Sequence, residues 1–63
     1  MKQKAIKDVR LDEYFKRSKD AKKVYVRGAY DRSEKDYSCY EFEDINKVIF
    51  LKGDKKVWIG FTF

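Results

Sequence analysis

From Lys23 to Phe63 the apolar side chains recur at about every second position, and three polar clusters cut that alternation into short pieces. A period of two is the mark of β-strands, in which successive side chains point to opposite faces. The segment Lys23 to Tyr30, KVYVRGAY, puts Val24, Val26, Gly28 and Tyr30 on one face and Tyr25, Arg27 and Ala29 on the other. The first set is the expected core face. Asp31 to Asp36, DRSEKD, is rich in residues that hydrogen-bond their own backbone and predicts a turn, hence a hairpin.

The next strand, Tyr37 to Glu43, has no uniformly apolar face: Tyr37, Cys39, Glu41 and Glu43 alternate with Ser38, Tyr40 and Phe42. A bulge or a sharp bend reconciles the two sets. Polar residues from Glu43 to Asn46 interrupt the pattern, and Val48 to Leu51 is a continuous apolar run that predicts a short strand buried on both faces. Gly53 and Asp54 supply a tight turn. In the last strand Val57, Ile59, Phe61 and Phe63 face the core, and Trp58, Gly60 and Thr62 face away.

The first third is less regular. Ile6, Val9, Glu13 and Tyr14 fit one side of a helix, whereas Val9, Leu11 and Phe15 fit an extended segment. The preferred reading is a turn followed by a strand at about Glu13 to Arg17, with Met1 to Lys4 a frayed end and Lys19 to Lys22 a charged connection. Four to five short antiparallel strands must curl to hide their edges and apolar face. The expected fold is mostly β, a small, partly open antiparallel barrel of SH3-like or OB-like type. An α+β fold with one N-terminal helix is the alternative.

A chain of 63 residues allows one small β domain, spanning residues 1–63, near the lower limit of independent folding. A core of this size usually needs a disulfide, a metal, a partner or dense packing. The single cysteine, Cys39, forms no intrachain bridge, and a chain without histidine cannot assemble the usual zinc cages. Eleven aromatic residues supply dense packing instead. No stretch is apolar for long enough to span a bilayer or to serve as a signal peptide, so the expected location is the cytoplasm, which also suits a lone thiol.

Catalysis requires a nucleophile with a base, a metal, or carboxylates with separated pKa values. Cys39 lies in an apolar strand with no histidine to activate it, and burial renders such a thiol inert. Ser18, Ser33 and Ser38 lack a base, and the three glycines are too far apart for a phosphate loop. Glu41, Glu43 and Asp44, with Asp31 or Asp36 across the hairpin, offer oxygens to a hard cation, yet their spacing matches no calcium loop. The expectation is a non-enzyme with no metal and no cofactor.

The segments VYVRGAYDRS, DYSCYEFEDIN and FLKGDKKVWIGFTF resemble short uncharacterised proteins that accompany phages and other mobile elements of gut anaerobic bacteria. The likeness covers about the last forty residues, and YDRS and FTF are its most specific pieces. The N-terminal third matches loosely, as DVRLDEYF. The resemblance implies a genomic setting and carries over no site residues.

Charge gives the main functional signal. Residues 1–23 hold nine basic and four acidic side chains, residues 24–46 three and six, and residues 47–63 four and one. If the basic beginning lies beside the basic end, as barrel closure requires, Lys7, Arg10, Lys16, Arg17, Lys52, Lys55 and Lys56 form one positive surface that attracts polyanions. Trp58, and Tyr25 with Arg27, are expected on outward faces as stacking groups for unpaired bases. This predicts a single-stranded DNA- or RNA-binding module with little sequence preference. The bland alternative is that a net charge of +5 serves solubility and lysines blunt strand edges. The competing functional class is a mobile-element accessory that binds a host or element-encoded protein as adaptor or inhibitor, or that self-associates by β-augmentation through its C-terminal strand. The exposure of Trp58 separates these readings.

Overall fold

The computed structural model describes residues 1–61. Six strands succeed one another: β1 (Lys2–Ala5), β2 (Tyr14–Phe15), β3 (Tyr25–Asp31), β4 (Asp36–Glu41), β5 (Asp44–Lys52) and β6 (Lys56–Ile59). The only helical element among the described residues is a 3-10 turn at Ile6–Asp8, so the α+β alternative falls. Pairing is antiparallel throughout, in a four-stranded sheet of order β2-β3-β4-β5 and a two-stranded sheet of β1 with β6.

Lys16, just past β2, joins the two sheets. Its N–H donates to the Trp58 carbonyl and its carbonyl accepts from the Trp58 N–H, both at 2.8 Å. The strands therefore run β1-β6-β2-β3-β4-β5 in one curled ribbon. Its two ends meet near the 3-10 turn, where the Ile6 N–H donates to the Lys55 carbonyl at 2.8 Å and the Lys7 N–H to the Gly53 carbonyl at 3.1 Å. The result is the expected mostly β, partly open antiparallel barrel, with five strands of four residues or more and the two-residue β2.

Every strand but β1 sends a residue into the core of Ile6, Val9, Phe15, Tyr25, Cys39, Leu51, Val57 and Ile59. Val57 and Ile59 take the inward positions their alternation assigns. In β4 the inward set is Tyr37 and Cys39, which lie opposite Leu51 and Ile49. β3 buries a residue on each of its faces, where a single core face was expected. Tyr25 is 8% exposed and stacks on Phe15 at 5.8 Å between ring centroids. Its cross-strand partner decides this: Phe15 is fully buried, and residues opposite each other share a face. Val26 consequently lies on the opposite face between Tyr14 and Tyr40, and it too is buried, at 3% exposed, as expected of it.

A register shift between Arg27 and Tyr30 then breaks the period of two. Arg27 lies opposite Cys39 and Tyr30 opposite Tyr37, so both flank Tyr37: the guanidinium lies 4.5 Å from the ring centroid and the Tyr30 ring 4.8 Å from it. Two further expectations are corrected. Residues 1–4 are no frayed end, because Lys2 to Ala5 pair in register with Ile59 to Lys56. Val48 to Leu51 is not buried on both faces: β5 ends the ribbon, so Ile49 and Leu51 turn inward while Val48 and Phe50 are exposed. Phe63 and Thr62, assigned faces by the alternation, lie outside the described residues.

Candidate functional site

Because Val57 and Ile59 point into the core, the residues between and before them point out. Trp58 is half-buried on that outward face, opposite Gln3 of β1 on one side and Lys16 on the other. Lys56, two residues earlier on the same strand, shares its face. Tyr14, two residues before Lys16, continues the face onto β2. The Lys16 ammonium itself sits 4.9 Å from the centre of the Phe61 ring, so cation and aromatic groups alternate here. Arg17 follows Lys16 and is exposed.

The supposed meeting of the two basic ends thus occurs through the β1–β6 ladder. Lys7, Lys52 and Lys55 gather at the adjoining turn, held by the bonds of Ile6 and Lys7 to Lys55 and Gly53. Lys52 is partly engaged: its ammonium donates to the Glu34 carbonyl at 2.8 Å and lies 3.9 Å from an Asp36 carboxylate oxygen. Arg10 lies in the turn before β2, its backbone N–H bonded to the Glu13 carboxylate at 3.0 Å.

Two residues expected in the interface are elsewhere. Tyr25 is a core residue, and Arg27 is half-buried on the inner side, where its Nη1 donates to the Gly28 carbonyl at 2.9 Å and its buried Nε finds no hydrogen-bond partner among the described residues. Their outward placement depended on a single core face of β3, where the structure buries a residue on each face. Gln3 and Tyr14 were overlooked. The pairing of β1 with β6 sets Gln3 opposite Trp58, while Tyr14, two residues before Lys16, packs edge-on against Phe42 at 5.3 Å between ring centroids, and no local pattern in the sequence encodes that neighbourhood.

Cys39 is buried, and its thiol donates to the Tyr37 carbonyl at 3.7 Å. Desolvation raises its pKa above the ordinary thiol value, outweighing the opposing effects of a backbone hydrogen bond with Gly28 and of the Arg27 charge. The thiol therefore stays protonated at neutral pH and is a poor nucleophile. Among the described residues no group of three or more Asp, Glu, Cys or His side chains is arranged to hold a metal ion. A shallow depression between Lys22–Val24 and Glu41–Glu43 carries both signs of charge, with Lys23 and Glu41 paired at 4.0 Å. Among the described residues no helix is long and apolar enough to cross a membrane.

Compared with known proteins, the chain matches no family model, no curated protein and no solved structure.

Proposed function

We propose that this protein is a small, non-catalytic nucleic-acid-binding module that takes single-stranded DNA or RNA across the outward face of β6 and β2 with little sequence preference. One observation carries the reading: Trp58 stands on an outward face directly opposite Lys16, with Lys56 two residues away on the same strand. An indole among ammonium groups offers a stacking platform to a base and counter-charges to the flanking phosphates. Stacking contributes about 1–3 kcal/mol per base and tolerates any base, because each has a π-face. Phosphate contacts by Lys16, Arg17, Lys55 and Lys56 add affinity through counterion release, again without sequence preference. Such a module works in the cytoplasm, where the lone Cys39 stays reduced.

The test is a titration with single-stranded oligonucleotides of about eight nucleotides, within the usual range of site sizes, followed by Trp58 fluorescence at low salt. Quenching and a blue or red shift of the indole emission are expected, and Lys16→Gln should weaken the response while leaving circular dichroism unchanged. An emission that no oligonucleotide alters at low salt overturns the proposal.

A second reading, the mobile-element accessory acting on another protein, is favoured by a separate observation: Ile45, Val48 and Phe50 expose apolar side chains at the β5 end of the ribbon. Retention of a host protein by the native chain but not by a Phe50→Ser variant, with Trp58 emission indifferent to oligonucleotides, supports that reading over the first.

A further inference from the structure

Trp58 has two cross-strand neighbours, and they are not equivalent. It exchanges both of its backbone hydrogen bonds with Lys16, at 2.8 Å each, so its N–H and C=O point away from β1. Trp58 and Gln3, matched in register across β6 and β1, are therefore a non-hydrogen-bonded pair. In such a pair opposed Cα atoms approach to about 4.5 Å and the side chains lie closer than in the hydrogen-bonded kind, where the separation is about 5.5 Å. Gln3, Trp58 and Lys16 thus form one row across three strands, with an uncharged amide on one side of the indole and an ammonium on the other.

The two flanking groups suit different parts of a nucleotide. The Lys16 ammonium, 4.9 Å from the centre of the Phe61 ring, is a point charge for a phosphate. Gln3 is exposed, and among the described residues its amide makes no hydrogen bond. Its chain neighbours Lys2 and Lys4 lie opposite Ile59 and Val57, so they belong to the other face and leave the β1 side of the indole to the amide.

We propose that Gln3 reads the hydrogen-bonding edge of the base that stacks on Trp58, with the base edge toward β1 and the phosphate toward Lys16. This assignment rests on the nucleic-acid reading above. An amide carries an acceptor oxygen beside an N–H2 donor. Adenine and cytosine present an amino donor beside a ring-nitrogen acceptor, whereas guanine, thymine and uracil present a carbonyl acceptor beside a ring N–H. A half-turn of the terminal amide, whose torsion is broad and roughly two-fold, exchanges its oxygen and nitrogen and fits either order. The row consequently demands a base edge without choosing among bases, which is how a hydrogen-bonding side chain coexists with little sequence preference. A carboxylate in its place has acceptors alone and matches best the two adjacent N–H donors of guanine.

Anisotropy titrations with labelled octamers of thymidine and of N3-methylthymidine test the proposal. The methyl group removes the ring N–H and obstructs the edge, while the π-face and the phosphates remain. The native chain should bind the methylated octamer about tenfold more weakly, the order expected for loss of a paired edge contact. Gln3→Ala, at an exposed position, should bind both octamers equally and at the weaker level, with circular dichroism unchanged. Gln3→Glu should prefer an octamer of alternating guanine and thymine to octathymidine by about fivefold, a choice the native chain does not make. A native chain that binds both thymidine octamers alike overturns the role of Gln3 and leaves the stacking site standing. So does a Gln3→Ala variant that keeps the discrimination, or a Gln3→Glu variant without guanine preference. Binding of no octamer overturns the nucleic-acid reading itself, and this assignment with it.

Discussion

A Cβ at Gly28 would be driven into the Ser38 carbonyl oxygen of the neighbouring strand. That close approach accompanies the register shift between Arg27 and Tyr30, and the shift in turn brings Arg27 and Tyr30 to either side of Tyr37. Gly28→Ala must therefore move backbone, not a flexible side-chain end, and the expected cost is about 1–3 kcal/mol. A chain of this size has only roughly 3–9 kcal/mol to lose, so the urea midpoint should fall markedly. Gly53→Ala is the control. Its Cβ would make ordinary contacts, 3.5 Å to the Tyr37 ring and 3.6 Å to Lys7, and its effect should stay within about 0.5 kcal/mol. Urea titrations of both variants check the contrast; equal midpoints would mean that the sheet yields at Gly28 without cost. The same position marks the limit of reading by alternation. Between the matched pairs, Ser38 alone on β4 faces Gly28 and Ala29 on β3, and no count of apolar positions in β3 alone announces that mismatch.

At the level of elements, the strands with local signals were legible and those defined by a distant partner were not. β6 alternates Val57, Trp58, Ile59 cleanly, and its faces follow from that pattern. β1 offers only Lys2, Gln3, Lys4 and Ala5, with nothing apolar before Ala5. It is a strand because β6 supplies a ladder for it, and that ladder joins residues more than fifty positions apart in the sequence. The candidate site inherits this division: Lys16, Lys56 and Trp58 converge as barrel closure requires, whereas Tyr25 and Arg27 were misplaced with the faces of β3. The functional weight of β1 is directly measurable. Removing residues 1–4 takes away most of the ladder that covers Val57 and Ile59, and exposing either side chain costs about 1.5–3 kcal/mol. The shortened chain should unfold at lower urea, and amide exchange should quicken at Val57, Trp58 and Ile59 more than at Tyr37 to Cys39. Unchanged protection at β6 would mean that Lys16 alone holds that strand in place.

Across the whole molecule the charge is polarised along the strand order. Lys16 and Lys56 share the face of Trp58, with Arg17 and Lys55 adjoining them in the chain, while Glu41, Glu43 and Asp44 lie on the hairpin leading into β5. On the proposed reading, a net charge of +5 arranged this way would steer a polyanion toward the indole. Electrostatic and stacking contributions then separate by their response to salt. With four cations on phosphates of a single strand, the logarithm of the binding constant should fall against the logarithm of salt concentration with a slope of about −3. Lys56→Gln should make that slope shallower by about 0.7, because one fewer counterion is released. Trp58→Ala should instead lower affinity by about 1–3 kcal/mol at every salt concentration and leave the slope unchanged, since stacking releases no counterion. Fluorescence anisotropy of a labelled oligonucleotide reads the native chain and both variants, including the one without an indole. A slope near zero for the native chain would mean that phosphates are not what these cations hold, and the basic wall around Trp58 would then serve solubility alone.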